Sequence, residues 1–135
     1  MEGDYQKLLA GWIAGERDRE NALQLLFLAW MHWADPPFVT KMSDDPQAPQ
    51  IWHEVYDFFG GEWSCDAEFL AVAGLMAHLF PYVLGDETVW SATAQRLKAR
   101  SLALQPDGFP AKLFEGRGDF GEYFAHQSRN ISTLD

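Results

Sequence analysis

Two long apolar runs constrain the fold of this chain more than any other feature. They cover residues 22–34 and residues 69–84, and the second is interrupted by His78 and Pro81. Both are shorter than the roughly 20 apolar residues that a helix needs to cross a bilayer. A helix that is apolar on nearly every side must be surrounded by other elements. The first run therefore predicts a nearly all-apolar central helix over about residues 18–34.

The remainder of the chain also has helical periodicity. Apolar residues recur at helical spacing over residues 5–13, 51–59 and 90–104, and alternation typical of a strand is missing. The sequence predicts an all-α fold, a single compact bundle of five or six helices around the central helix. Boundaries are expected at Asp4, Gly15, Asp18, Asp35-Pro36-Pro37, Gly60-Gly61, Ser64, Pro81, Gly85, Asp86 and Asp119.

Size and composition favour one domain with a substantial core. The chain has 135 residues, of which 47% are hydrophobic and 15% aromatic, and chains of this length usually form one domain. We therefore predict a single all-helical domain over residues 1–135, with a loop at 35–49 and frayed residues at the end. The helical pattern places seven apolar or aromatic side chains and one histidine inside: Trp12, Trp30, Trp33, Trp90, Ala94, Leu97, Leu104 and, as a core histidine, His78.

The charge distribution limits the kinds of partner that this chain can bind. The chain has a net charge of −10, and no lysine or arginine occurs between Met42 and Gln95. Such a charge excludes a general nucleic-acid binder and disfavours anionic membranes, because both depend on basic side chains. The same stretch holds nine acids: Asp44, Asp45, Glu54, Asp57, Glu62, Asp66, Glu68, Asp86 and Glu87.

Motifs that would indicate catalysis are weak. Residues 116–121 match GxGxxG, but the surroundings lack the strand and the distal acid of a dinucleotide site, so we interpret them as a turn. Cys65 is the one cysteine, which excludes an intrachain disulfide, and the acids around it oppose thiolate formation. Catalysis is the less favoured class.

Two histidine–carboxylate pairs are the candidate metal ligands. His53 and Asp57, with Glu54 beside them, share a helical face, and His32 and Asp35 form a second pair. Metal sites usually draw ligands from two elements at defined spacing, and no such spacing occurs. We expect neither a metal nor another cofactor. The N-terminus lacks the basic and apolar regions of a signal peptide, which favours a cytoplasmic protein.

The favoured function is capture of a basic protein by an acidic surface with aromatic anchors. Interfaces favour tryptophan and tyrosine within a polar rim, and opposite charge speeds encounter. The biological class that fits is an immunity or antitoxin protein that neutralises a basic toxin or enzyme, such as a secreted toxin. A monomer or weak dimer is expected, because an acidic homodimer interface repels itself. The predicted partner-binding residues are Trp52, Glu54, Asp57, Glu62, Trp63, Asp66 and Glu68.

A rival interpretation is a small helical enzyme or ligand-binding protein with a pocket. His32, His78 and Cys65 would line that pocket. A co-purified ligand or metal would favour it over the binding interpretation.

Overall fold

The computed structural model describes residues 2–34 and 46–130, and within these ranges the regular secondary structure is helical throughout. The all-α prediction is confirmed for these residues. They form seven α-helices and two 3-10 turns: α1 (Glu2–Ile13), α2 (Arg19–Ala34), α3 (Ala48–Phe58), a turn at Gly61–Trp63, α4 (Ala67–Leu79), α5 (Pro81–Leu84), α6 (Glu87–Leu104), a turn at Ala111–Leu113, and α7 (Gly118–Asn130).

The chain divides into two compact units, Met1–Phe58 and Phe59–Asp135, and each is described by itself. The single bundle, and the central position of α2 within it, stay predictions. The predicted loop at 35–45 and the predicted frayed end at 131–135 lie outside the described residues. In the described part of the chain, no helix combines the length and the apolarity that a membrane crossing requires.

In the first unit, α2 packs against α1 and α3. Residues 25–32 are all buried, so this helix exposes no face over that stretch. Asp18 caps its start by accepting hydrogen bonds from the amides of Glu20 (3.0 Å) and Asn21 (3.3 Å). Near its other end, Nε2 of His32 lies 3.0 Å from Oε2 of Glu2. The predicted burial of Trp12 and Trp30 is confirmed, since both expose less than a tenth of their surface.

The second unit pairs α4 with α6. Residues 68–77 of α4 are buried without a break. The two helices run antiparallel: Ser101 of α6 donates a hydrogen bond to the carbonyl of Ala67 (2.7 Å), at the opposite end of α4 from His78. Between these ends, a Cβ on Gly74 would lie 3.3 Å from the Cβ of Leu97, so glycine allows the close approach of the two helices.

Two predicted core positions in this unit are wrong. Leu104 is 45% exposed. Ser101 is already level with the first residue of α4, and Leu104 lies about 4.5 Å further along α6, beyond its partner helix. His78 is exposed as well, because it lies in the last turn of α4 at the edge of the helix pair. Ala94 and Leu97 are buried as predicted, whereas Trp90 is half-buried.

Helix caps differ slightly from the predicted boundaries. Asp66, not Ser64, caps α4 by accepting from the amide of Phe69 (3.1 Å), while Ser64 accepts from the amide of Asp66 (3.0 Å). Asp86 caps α6 in the same way, as predicted. Pro81 ends α4 and begins α5, which accounts for one helix more than expected.

The GxGxxG match has a structural explanation. Gly116 and Gly118 have φ angles of +75° and +68°, which favour glycine because they belong to the left-handed region. A Cβ on Gly121 would collide with the carbonyl oxygen of Phe114. The three glycines therefore meet backbone demands of the turn before α7 and of the first turn of that helix, in agreement with the interpretation from sequence.

Candidate functional site

The turn at Gly61–Trp63 presents the most exposed large apolar side chain among the described residues. Trp63 is 78% exposed. Gly60 enters the turn with a φ of +100°, and the amide of Trp63 donates to the carbonyl of Gly60 (3.1 Å). The backbone of the turn is thus fixed while the indole projects outward.

Two arginines of α6 hold this turn from one side. Arg100 donates from Nε to the carbonyl of Ser64 (2.7 Å) and from Nη2 to the carbonyl of Trp63 (3.4 Å). One turn earlier on the same helix, Arg96 donates from Nε to the carboxylate of Glu62 (2.9 Å). These bonds join α6 to the residues on both sides of Trp63, which restricts the conformations that the turn can adopt.

Glu68 forms a largely buried ion pair with Arg117. Arg117 donates from Nη2 to Oε1 of Glu68 (3.1 Å) and from Nη1 to Oε2, which gives a two-point contact. The side chains of Arg117 and Glu68 are only 21% and 10% exposed. The guanidinium also lies 5.1 Å from the ring centre of Phe120. Glu68 is therefore a structural residue whose charge is compensated within the chain.

The predicted interaction residues of α3 divide into exposed and buried ones. Glu54 and Asp57 are exposed, and no other described residue forms an ion pair with either of them. Trp52 is fully buried, with its ring stacked on Tyr56 at 5.1 Å. The prediction of Trp52 as a surface anchor is contradicted, because a buried indole offers no surface to a partner.

The structure thus separates the seven predicted partner-binding residues by role. Three of them are exposed and available to a partner: Trp63, Glu54 and Asp57. Two others already have partners within the chain, since Glu62 pairs with Arg96 and Asp66 caps α4. Trp52 and Glu68 are buried. Sequence reasoning missed the arginines that contact these acids. Because Arg96 and Arg100 are four residues apart, the sequence places them on one face of a helix. It does not show which residues that side of the helix contacts.

Of the residues predicted to line a pocket, Cys65 and His78 do not lie together. Cys65 precedes α4 and His78 lies in its last turn, so the 13-residue helix separates them by about 20 Å. His32 belongs to the first unit, where it faces Glu2. Cys65 is exposed, with its Sγ 3.8 Å from Nη2 of Arg100.

The part of the chain that the structure describes contains no cluster of side chains that could ligate a metal ion. No three His, Cys, Asp or Glu side chains there are placed to hold an ion together. Asp35, the partner predicted for His32, lies outside the described residues.

Comparison with protein-family models, with curated proteins and with solved structures finds no match to this chain.

Proposed function

We propose that this protein binds a basic protein partner, with Trp63 as the apolar anchor and uncompensated acids as the source of attraction. The exposure of Trp63 on a turn fixed by Arg100 is the observation that carries the proposal. Tryptophan is among the residues that most often dominate the energy of an interface. An indole that is 78% exposed gains free energy when a partner covers it.

The fixed backbone strengthens this argument. Ordering a flexible loop on binding costs conformational entropy, whereas a turn that is already ordered avoids that cost. Arg100 contacts two consecutive carbonyls at the end of the turn, and Arg96 contacts Glu62 within it. Trp63 is therefore presented in a conformation that needs little reorganisation.

Charge supports a basic rather than a neutral partner. The chain carries 20 acids against 10 lysines and arginines. Glu62 and Glu68 contribute little to an outward field, because Arg96 and Arg117 compensate them. Glu54 and Asp57 remain as the exposed acids of the predicted set, so we assign the attraction to them and to the net charge.

The biological class that we propose is an immunity or antitoxin protein, which neutralises a toxin by covering its active site. Toxins that act on nucleic acids or nucleotides have basic clefts, and an acidic inhibitor with an aromatic anchor complements such a cleft in charge. Candidate partners are the products of the adjacent open reading frames. Co-expression should then yield a stable complex and suppress the toxic activity.

Trp63→Ala is expected to weaken the complex by about 2 kcal/mol, or about 30-fold in Kd. The loss follows from removing the anchor, and it should appear mainly in the dissociation rate. Surface plasmon resonance against the partner measures both rates. Tyr82→Ala is the matched control, because Tyr82 is also an exposed aromatic residue, at 60%. An equal loss from the two variants would contradict the assignment of Trp63 as the anchor.

Reversing Glu54 and Asp57 to lysine is expected to slow association about tenfold at low salt, with little change in the dissociation rate. The effect should shrink as salt is raised, because screening weakens attraction between exposed charges. The control is Asp119→Lys with Glu122→Lys, which changes the net charge equally at exposed positions of α7. If both double variants slow association to the same extent, only the net charge matters and the assignment to α3 is wrong.

A further inference from the structure

We infer that the groove between α4 and α6 is a binding site for a small aliphatic carboxylate. The groove encloses a cavity of about 210 Å³. Its lining residues recur at helical spacing on each helix, so the two facing sides of one antiparallel pair form it. They are Ala71, Gly74, Leu75 and His78 of α4, and Ala94, Gln95 and Lys98 of α6.

Small side chains create the space. Ala71 and Ala94 stand on facing helices, and Gly74 lies between them along the pair. Neither alanine fills the groove, and Leu75 adds an apolar wall. At Gly74 the two helices approach closely, since a Cβ there would lie 3.3 Å from the Cβ of Leu97. The floor is therefore suited to a short hydrocarbon chain, which gains free energy when it leaves water.

The rim of the cavity supplies hydrogen-bond donors. His78 and Gln95 are exposed and Lys98 is half-buried, and each offers at least one N–H group. No acidic residue is among the described residues that line the cavity. An apolar floor below a rim that carries the positive charge of Lys98 matches a ligand with an anionic head and an apolar tail.

Lys98 differs from the arginines of this chain that pair with carboxylates. Arg96, Arg117 and Arg129 each pair with a carboxylate. Lys98 forms no ion pair with any residue that the structure describes, although it stands beside the cavity. Its ammonium group is thus available to a carboxylate that comes from outside the chain.

The site is independent of the proposed protein partner, and its test needs only the purified chain. Butyrate, butylamine and inorganic phosphate are titrated into the isotopically labelled protein, and the amide resonances of Gly74 and Lys98 are followed by NMR. We expect saturable shifts with butyrate and a Kd on the order of 1 mM, since the ligand is small. Butylamine should give no saturable shift, and phosphate should bind at least about tenfold more weakly because it lacks the apolar tail.

Lys98→Met should raise the Kd for butyrate about tenfold, because a charge-assisted contact is lost. Lys112→Met is the control, since Lys112 is an exposed lysine outside the cavity. Ala71→Leu, checked for folding by circular dichroism, should abolish the shifts by filling the groove. Absence of saturable shifts, equal binding of butylamine or phosphate, or unchanged affinity in Lys98→Met would overturn the inference.

Discussion

Replacing Trp52 with alanine is expected to lower the free energy of unfolding by about 3–5 kcal/mol. Trp52 has no exposed surface, and its ring stacks on Tyr56 with an angle of 17° between the planes. Its removal would leave a large cavity within the first unit, and the surrounding side chains could fill it only in part. Urea unfolding followed by far-ultraviolet circular dichroism measures the loss.

Trp63→Ala is the matched control for this prediction. It deletes the same side chain from a position that is 78% exposed, so stability should change by no more than about 0.5 kcal/mol. The two tryptophans should therefore have opposite profiles: Trp52 matters for stability, and Trp63 matters for binding. Similar stability losses in the two variants would contradict the burial that we describe for them.

Arg117→Met is expected to lower the free energy of unfolding by about 3 kcal/mol. The substitution leaves the carboxylate of Glu68 buried without its two-point partner, and an uncompensated buried charge is strongly unfavourable. The contact of the guanidinium with the ring of Phe120 is lost as well. Urea unfolding again provides the measurement.

Arg129→Met provides the control, since Arg129 forms an ion pair with Glu115 in which both side chains are more than half exposed. Its loss should cost no more than about 1 kcal/mol. A double variant, Glu68→Met with Arg117→Met, should recover most of the stability, because it removes both buried charges together. If the double variant is as unstable as Arg117→Met alone, loss of packing and not the buried charge explains the effect.

The position of Trp52 shows where sequence reasoning went wrong. The helical period of α3 already placed Trp52 on the same apolar face as Ile51, Val55 and Tyr56, and all four are buried. The neighbouring acids suggested a surface anchor instead. On a helix, however, residues adjacent in sequence point in different directions, so an acid next to a tryptophan does not show that the tryptophan is exposed. Periodicity was the better signal here.

Trp63 had no such periodicity to place it. It lies in a short turn between helices, where exposure depends on how the flanking glycines direct the chain. The positive φ of Gly60 and the bonds from Arg100 fix that direction. Neither can be derived from the local sequence, because the arginine is 37 positions away from Trp63.

By itself, the sequence determined the helical character of the described residues, most helix boundaries and the burial of residues 25–32 and 69–77 within the two apolar runs. These properties follow from local patterns: the helical period, the capping side chains and the effects of proline and glycine on the backbone. It also determined the net charge, which is a sum over residues and does not depend on folding.

Only the tertiary structure decided which acids keep their charge available to a partner. The central stretch is free of lysine and arginine along the chain, yet Arg96, Arg100 and Arg117 reach its residues from beyond its end. Electrostatic interaction depends on distance in space, and helix packing brings together residues that are more than 30 positions apart. An acidic segment of sequence is therefore not the same as an acidic surface.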